Sequence, residues 1–345
     1  MSIKDNKRLV IFDKYDEIEF NHDIKAYLSD SSKEISIPRL MIEWKKELIK
    51  EYVAMIYSCG FFGNKSDNIH KRLMIRPNFS FWWMTLLSEK SPIRSKSIYK
   101  ILQFRVIERL FYEKKCTHIA LYSDDKKLHH LLLEWSKISG FNYERKKKKS
   151  KKLKNIDIHD LYNKLPHFIR ASILLFRFAL SKRHFIGRSK KMQIDVFEDN
   201  NLPKRFIVSP FPNINEKKAL TGVFQSNYWG EVQRYIDSDI NVNFLLMFTP
   251  RIDCKNAKEA IKKRDILQKK SHGRHNYYFL EEWLSYSVLF KIVIDYLFLY
   301  RKSFNQSSLK QNSYINKSKI SYWKQIKPEW LSSTRGVVAI DGCIK

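Results

Sequence analysis

A chain of 345 residues is long enough for one large or two ordinary domains, since a single core stops growing at about 250–300 residues. Hydrophobic residues at 43% and aromatics at 14% exclude a disordered chain. The 65 Lys and Arg against 36 Asp and Glu leave a formal charge of +29, a positive field that recruits nucleic acid, anionic lipid or phosphorylated small molecules. Part of that charge reflects a composition rich in Lys, Ile, Asn and Tyr with only 9 Gly, the profile of an AT-rich genome.

The polar N-terminus leads into a short apolar stretch, Leu9 to Phe12, too brief for the apolar core of a signal peptide. Apolar residues among charges over 38–58, opened by Pro38, predict a core-facing helix, and the spacing of Ile98, Leu102, Val106 and Leu110 predicts another over 98–113. Thr117–Tyr122 reads as a buried strand. Ser123-Asp124-Asp125 can cap the helix that follows, whose apolar face is Leu128, Leu131, Leu132, Trp135 and Ile138 and which Gly140 ends. With Phe141-Asn-Tyr143 this makes a β-α-β run, the signature of a parallel sheet with helices on its faces.

The like-charged block Arg145–Lys154 repels itself and predicts a linker or exposed loop. Over 157–184, Lys164, His167, Arg170, Arg177 and His184 share one helical stripe, with Phe168, Ile169, Ile173 and Phe176 elsewhere around it, a basic amphipathic helix. Strands are predicted at Met192–Phe197, Phe206–Ser209, Asn243–Phe248 and Tyr277–Leu280. Helices are predicted around Tyr228–Ile236, over 257–269 and from Glu282 to Lys302, with a polar loop at Asn305–Ser318 and a new element beginning near Gly336. The expected architecture is α/β, Rossmann-like parallel-sheet units flanked by helices. The expected domains are a first α/β unit at 1–144, a basic linker and amphipathic helix at 145–190 and a second α/β unit at 191–345.

The windows Ile169–Leu180 and Leu284–Tyr300 are broken by Arg170, Arg177, Lys291 and Asp295, short of the roughly 20 uncharged residues a span needs. A cytoplasmic chain is expected, with Lys164, Arg170, Arg177, Phe168 and Phe176 available for peripheral contact with an anionic membrane. A solvated loop followed by an ordinary core helix accounts for the same residues. Nucleic acid is the weaker partner, because no helix-turn-helix, RNP-like, zinc-finger or KH pattern is present. No cofactor loop and no metal site are signalled: Gly60-Phe-Phe-Gly63 lacks the Lys-Ser/Thr of a P-loop, and four scattered cysteines lack ligand spacing. Asp124-Asp125 follows a strand, where active sites of open parallel sheets lie, although helix capping explains it too. His118 reads as a satisfied core histidine. Adjacent Trp82 and Trp83 cannot both face one core, so one of them lines a cleft or meets another element, or the pair belongs to an aromatic core cluster beside a Glu89–Lys90 surface ion pair.

Phe81-Trp-Trp-Met-Thr-Leu-Leu-Ser-Glu-Lys-Ser91, Ile98-Tyr-Lys-Ile-Leu102, Pro210-Phe-Pro-Asn213, Ser226-Asn-Tyr-Trp-Gly230 and Ser333–Gly342 resemble segments of a family of bacterial surface-carbohydrate biosynthesis proteins, of the O-antigen and capsule type. The resemblance spans most of 70–345. It implies a two-lobed, GT-B-like glycosyltransferase taking a nucleotide-sugar donor and a lipid-linked or glycan acceptor. It also implies that this chain is an N-terminal portion lacking a further α/β donor-binding region. On these motifs Trp82, Trp83, Lys90, Ser91, Tyr228 and Trp229 would line an acceptor cleft and Glu89 would be the base. A non-enzymatic basic module binding anionic lipid or nucleic acid is the second reading.

Overall fold

The computed structural model describes residues 7–13, 23–30, 34–62, 68–146, 162, 164–188, 205–215, 217–218, 221, 225–227, 230, 242–252, 254–271, 275–315 and 320–344. They form two units, Met1–Ala171 with Asp295–Lys345, and Ser172–Ile294. The first comprises β1 (Arg8–Phe12), β2 (Ile24–Tyr27), β3 (Ile35–Ser36), α1 (Ile37–Glu43), α2 (Lys45–Phe61), α3 (Ile69–Arg72), β4 (Met74–Arg76), β5 (Phe79–Ser80), α4 (Lys96–Glu113), β6 (His118–Tyr122), α5 (Lys126–Ser139) and β7 (Asn142–Lys146).

Leu9, Val10, Ile11 and Phe12 are all buried, the unbroken apolar run of a strand covered on both faces. The short stretch near the N-terminus is thus the central strand of a five-stranded sheet in the order β3-β2-β1-β6-β7, every pair parallel. The order reverses between β1 and β6, where open α/β sheets place ligands. The expected capping holds: Asp125 accepts from the backbone N–H of Lys127 and Leu128 at 2.9 and 3.0 Å, and Gly140 ends α5 at φ 73°. β7 carries two residues of the basic block, Arg145 and Lys146, so the ladder extends beyond the expected strand. The helix expected over 38–58 is divided at Trp44, whose ring lies 4.2 Å from the Arg109 guanidinium.

α6 (His167–Lys182) spans the boundary between the units; of the helix expected over 157–184, residues 157–161 and 163 lie outside the described residues. The second unit holds β8 (Arg205–Phe211), β9 (Val242–Phe248), α7 (Ala257–Lys270) and β10 (His275–Phe279), the strands forming a second parallel sheet in the order β10-β9-β8. Pro210 is tolerated because β8 is an edge strand among the described residues. Phe185, Phe211, Phe244, Phe248, Ile261, Tyr277 and Phe279 make its core. A 3₁₀ turn, Leu280–Trp283, precedes α8 (Tyr286–Lys302), which crosses back to the first unit.

α9 (Ser307–Asn312), α10 (Trp323–Arg335) and α11 (Val337–Ile344) then pack with the first unit, so the expected 191–345 domain is divided at 294. The physical reason is local. Glu329 accepts from the Ser95 hydroxyl and the Ser97 backbone N–H at 2.5 and 2.8 Å, placing a carboxylate on the positive N-terminus of α4. Part of the expected 305–318 loop is α9, and the element after Gly336 is α11, packed on α10 and on the 3₁₀ turn Phe81–Met84. The predicted strand 192–197, the helix around 228–236 and residues 147–154 lie outside the described residues.

Candidate functional site

The Phe81–Met84 turn, capped by Ser80, sends the two tryptophans in opposite directions. Trp82 is 1% exposed, and its indole covers Gly60 so closely that an added Cβ there would stand 2.7 Å away. It is a core residue with no surface to offer a ligand, against the expectation that it lines a cleft. Trp83 is 50% exposed beside Phe61 and His70, at centroid distances of 5.8 and 5.5 Å, and Phe61 stacks on His70 and on Tyr57. Burial, reinforced by Lys71, holds the His70 imidazole below its ordinary pKa, which favours the neutral ring in this shelf.

Glu89 pairs with Arg94 at 3.0 Å, and not with Lys90. Lys90 adopts φ 52°, its carbonyl accepting from the Tyr52 hydroxyl at 2.8 Å, and the Ser91 hydroxyl accepts from the Arg94 N–H at 3.4 Å. These three residues shape the turn leading into α4. The first and last motifs of the resemblance meet here, the Leu86 N–H donating to the Ser333 hydroxyl at 3.2 Å.

At the switch point of the five-stranded sheet the polar groups bind one another. The Ser123 hydroxyl donates to Asp13 Oδ1 at 2.6 Å, and the Asp124 and Asp125 N–H groups donate to Asp13 Oδ2 and to Ser123 Oγ. Arg145 donates twice to the Ser123 carbonyl. Asp125 caps α5 with one oxygen and pairs with Lys100 at 2.5 Å through the other. Burial raises the Asp125 pKa, but the Lys100 ammonium and two backbone N–H donors outweigh it and hold the carboxyl below its usual range. Capping and lattice-like cross-bonding thus account for Asp124-Asp125. His118 is hydrogen-bonded at both nitrogens, to Thr117 and Asn142.

The carboxyl edge of the second sheet is built differently. Behind a cis Phe211-Pro212 bond, Asn213 Oδ1 accepts from Asn227 Nδ2 at 3.2 Å and from the Arg251 guanidinium at 3.4 Å. Two converging donors fix the amide's orientation, so its NH₂ is the group left to donate outward. The Ser209 hydroxyl donates to the Ser226 hydroxyl at 3.0 Å, and Ile214 bridges Ser226, joining the segments 210–213 and 226–230 that the sequence had separated. Tyr228 and Trp229 lie outside the described residues.

Arg251 stands in a turn closed by Arg251 N–H···O=C Cys254, just past the end of β9. That strand end is clamped by a buried pair. Lys182 and Glu281, 8% and 12% exposed, lie 2.6 Å apart. Glu281 also accepts from the Phe248 N–H, while Lys182 donates to the Phe248 carbonyl. Burial lowers the Lys182 pKa and the Glu281 carboxylate only partly restores it. Sequence reasoning missed this pair, whose members are 99 positions apart. The only signal for it is a lysine on the otherwise apolar side of an amphipathic helix.

α6 keeps the expected polarity only in part. Arg170 is half-buried and hydrogen-bonded to His167, and Lys182 is buried, whereas Phe168, Phe176 and Leu180 are 47%, 69% and 50% exposed. Of the residues expected at a membrane, Lys164, Phe168, Phe176 and Arg177 are exposed and Arg170 is turned inward. α8 repeats the pattern at Tyr286, Phe290 and Ile294. Among the described residues no helix is long and apolar enough to cross a membrane, and no group of three or more His, Cys, Asp or Glu could hold a metal. Comparison with known protein families, curated proteins and solved structures returned no match, so the functional reading rests on the chain's own geometry.

Proposed function

We propose that the protein is a glycosyltransferase-like enzyme of bacterial surface-polysaccharide assembly and that, in place of the separate donor-binding region the resemblance implies, the carboxyl edge of its second sheet holds the diphosphate of a nucleotide-sugar donor. The supporting observation is the outward-facing donor set there, the Asn213 amide NH₂ and the Arg251 guanidinium, neither opposed by a carboxylate among the described residues. Such donors hydrogen-bond phosphate oxygens in the ground state and stabilise the charge that grows on the diphosphate as the glycosidic C–O bond breaks. The Lys182–Glu281 clamp keeps the Arg251 turn in place. In the first unit, taken by itself, Trp83 offers an aromatic face to a sugar ring and Glu89 is the candidate base.

The test is calorimetric titration of UDP and UDP-hexoses into wild-type, Asn213→Ala and Arg251→Ala proteins. At least tenfold weaker binding in both variants is expected; wild-type affinity in both would remove this edge from the proposal. Glu89→Gln with unchanged transfer at equal protein level would remove Glu89 from the mechanism.

A specific observation also favours attachment to the inner face of the cytoplasmic membrane. Within the second unit, α6 exposes Ile173, Phe176 and Leu180 and α8 exposes Tyr286, Phe290 and Ile294, with Arg177 and Lys291 beside them and no carboxylate on either stretch. Apolar rings with only cations for neighbours suit an anionic headgroup layer. Co-flotation with phosphatidylglycerol vesicles, undiminished by RNA competitor and lost in Phe176→Glu/Phe290→Glu, is the expected result. Equal flotation of the variant would exclude this face.

A further inference from the structure

The first unit carries a separate cavity lined by cations. The cavity, of about 610 Å³, is lined by Arg72 from α3, by Phe298, Arg301 and Lys302 from the last turns of α8, and by Asn305 beyond it. That volume lies within the roughly 300–1,000 Å³ of small-molecule sites. Its walls come from two stretches with no acidic residue, Asn68 to Ser88 and Tyr296 to Pro328.

Arg8, Arg39, Arg76, Arg94, Lys100, Arg105 and Arg109 each have a carboxylate partner. Arg301 and Lys302 have none among the described residues, and the ring of Phe298 lies 5.4 Å from the Lys302 ammonium, keeping that side chain over the cavity wall. Arg335, a further cation, lies 3.9 Å from the Phe304 ring and donates to the Ser303 hydroxyl. The α8 C-terminus offsets part of this charge through its own partial negative end, but two side chains and a third from α3 exceed the half charge of one helix end.

We infer that this cavity is a binding site for a ligand carrying two adjacent phosphate groups, gripped by Arg72, Arg301 and Lys302 with Asn305 as a neutral hydrogen-bonding partner. Guanidinium groups take phosphate oxygens two at a time, and a diphosphate matches a cluster of three cations where a single monoanion does not. Free diphosphates and lipid headgroups share this chemistry.

The experiment titrates inorganic pyrophosphate into the full chain at 150 mM salt, and in parallel floats the chain with neutral vesicles containing or lacking a long-chain prenyl diphosphate. Arg301→Gln/Lys302→Gln, at two exposed positions, is compared with Lys258→Gln/Lys262→Gln, which removes the same charge from α7 in the other unit. At least tenfold weaker pyrophosphate binding in the first variant alone is expected and assigns a free ligand. Loss of prenyl-diphosphate-dependent flotation in the first variant alone assigns a headgroup. Equal losses in both variants would show a diffuse charge effect and overturn the site, as would no change in either or no binding by the wild type. Arg251→Ala separates this site from the nucleotide-sugar edge, because it is expected to leave pyrophosphate binding at Arg301 and Lys302 unaltered.

Discussion

The two parallel sheets end in chemically opposite edges. At the first, Asp13, Ser123 and Asp125 accept from one another's hydroxyl and backbone groups and from Lys100, leaving the switch point cross-bonded and its acceptors occupied. At the second, Asn213 and Asn227 from one end of the sheet meet Arg251 from the next strand and leave donors facing outward. Both occupy the place where open α/β folds bind ligands, so position in the fold does not distinguish them. The chemistry of the side chains does: a carboxylate paired with Lys100 at the first edge, amide and guanidinium groups with no carboxylate partner among the described residues at the second.

The largest expected effect tests how the second edge is held. Lys182→Met leaves Glu281 buried without its cation and is expected to destabilise the protein by about 3–5 kcal/mol in urea unfolding, with Lys182→Met/Glu281→Gln recovering a large part of that loss. If the single variant unfolds at the wild-type midpoint, the clamp contributes nothing. Next is Asp13→Ala, which strips the first edge of the acceptor for the Ser123 hydroxyl and the Asp124 N–H. A loss of about 1–3 kcal/mol with unchanged UDP affinity is expected, and weakened UDP binding would mean that the first edge is a ligand site after all.

Arg251→Ala reverses that pattern, lowering UDP affinity about tenfold, near 1.4 kcal/mol, while the thermal midpoint stays within a degree or two of wild type. The smallest effect is a pH signature. Because the folded-state Asp125 carboxyl titrates below its ordinary value, its contribution is complete above about pH 4 and is lost as the pH falls through the lower folded pKa, the unfolded chain taking up the proton first. Asp125→Asn keeps a capping oxygen but loses the Lys100 pair, so its unfolding free energy is expected to fall less steeply than the wild type's below pH 4. Identical acid slopes would show that Lys100 does not set this carboxyl's titration.

Much of the frame was legible in the residue pattern. The β-α-β run 117–143, the Asp125 cap, the Gly140 stop and the strands 206–209, 243–248 and 277–280 all follow from local periodicity and cap chemistry, which act over a few residues. The central strand β1 was not legible, because four apolar residues in isolation fit a strand, a helix turn or a loop equally well. The amphipathic stripe of α6 was legible only in part, for a related reason. Periodicity reports that two faces differ but not which one is covered, and here Arg170 pairs with His167 and Lys182 is buried against Phe248, while Phe176 and Leu180 are exposed.

The sequence by itself determined the α/β class, the strong positive charge, the local caps and the identity of unusual segments such as Trp82-Trp83 and Pro210–Asn213. Only the tertiary structure decided that the two tryptophans divide between core and surface, that 295–345 returns to the first unit, and that Asn213, Asn227 and Arg251 stand at one edge. It also brought Arg72 to Arg301 and Lys302 across more than two hundred positions. Those outcomes depend on long-range pairing, on which carboxylate reaches which cation and which ring finds a cover, and nearest-neighbour propensities carry no information about distances between segments remote along the chain.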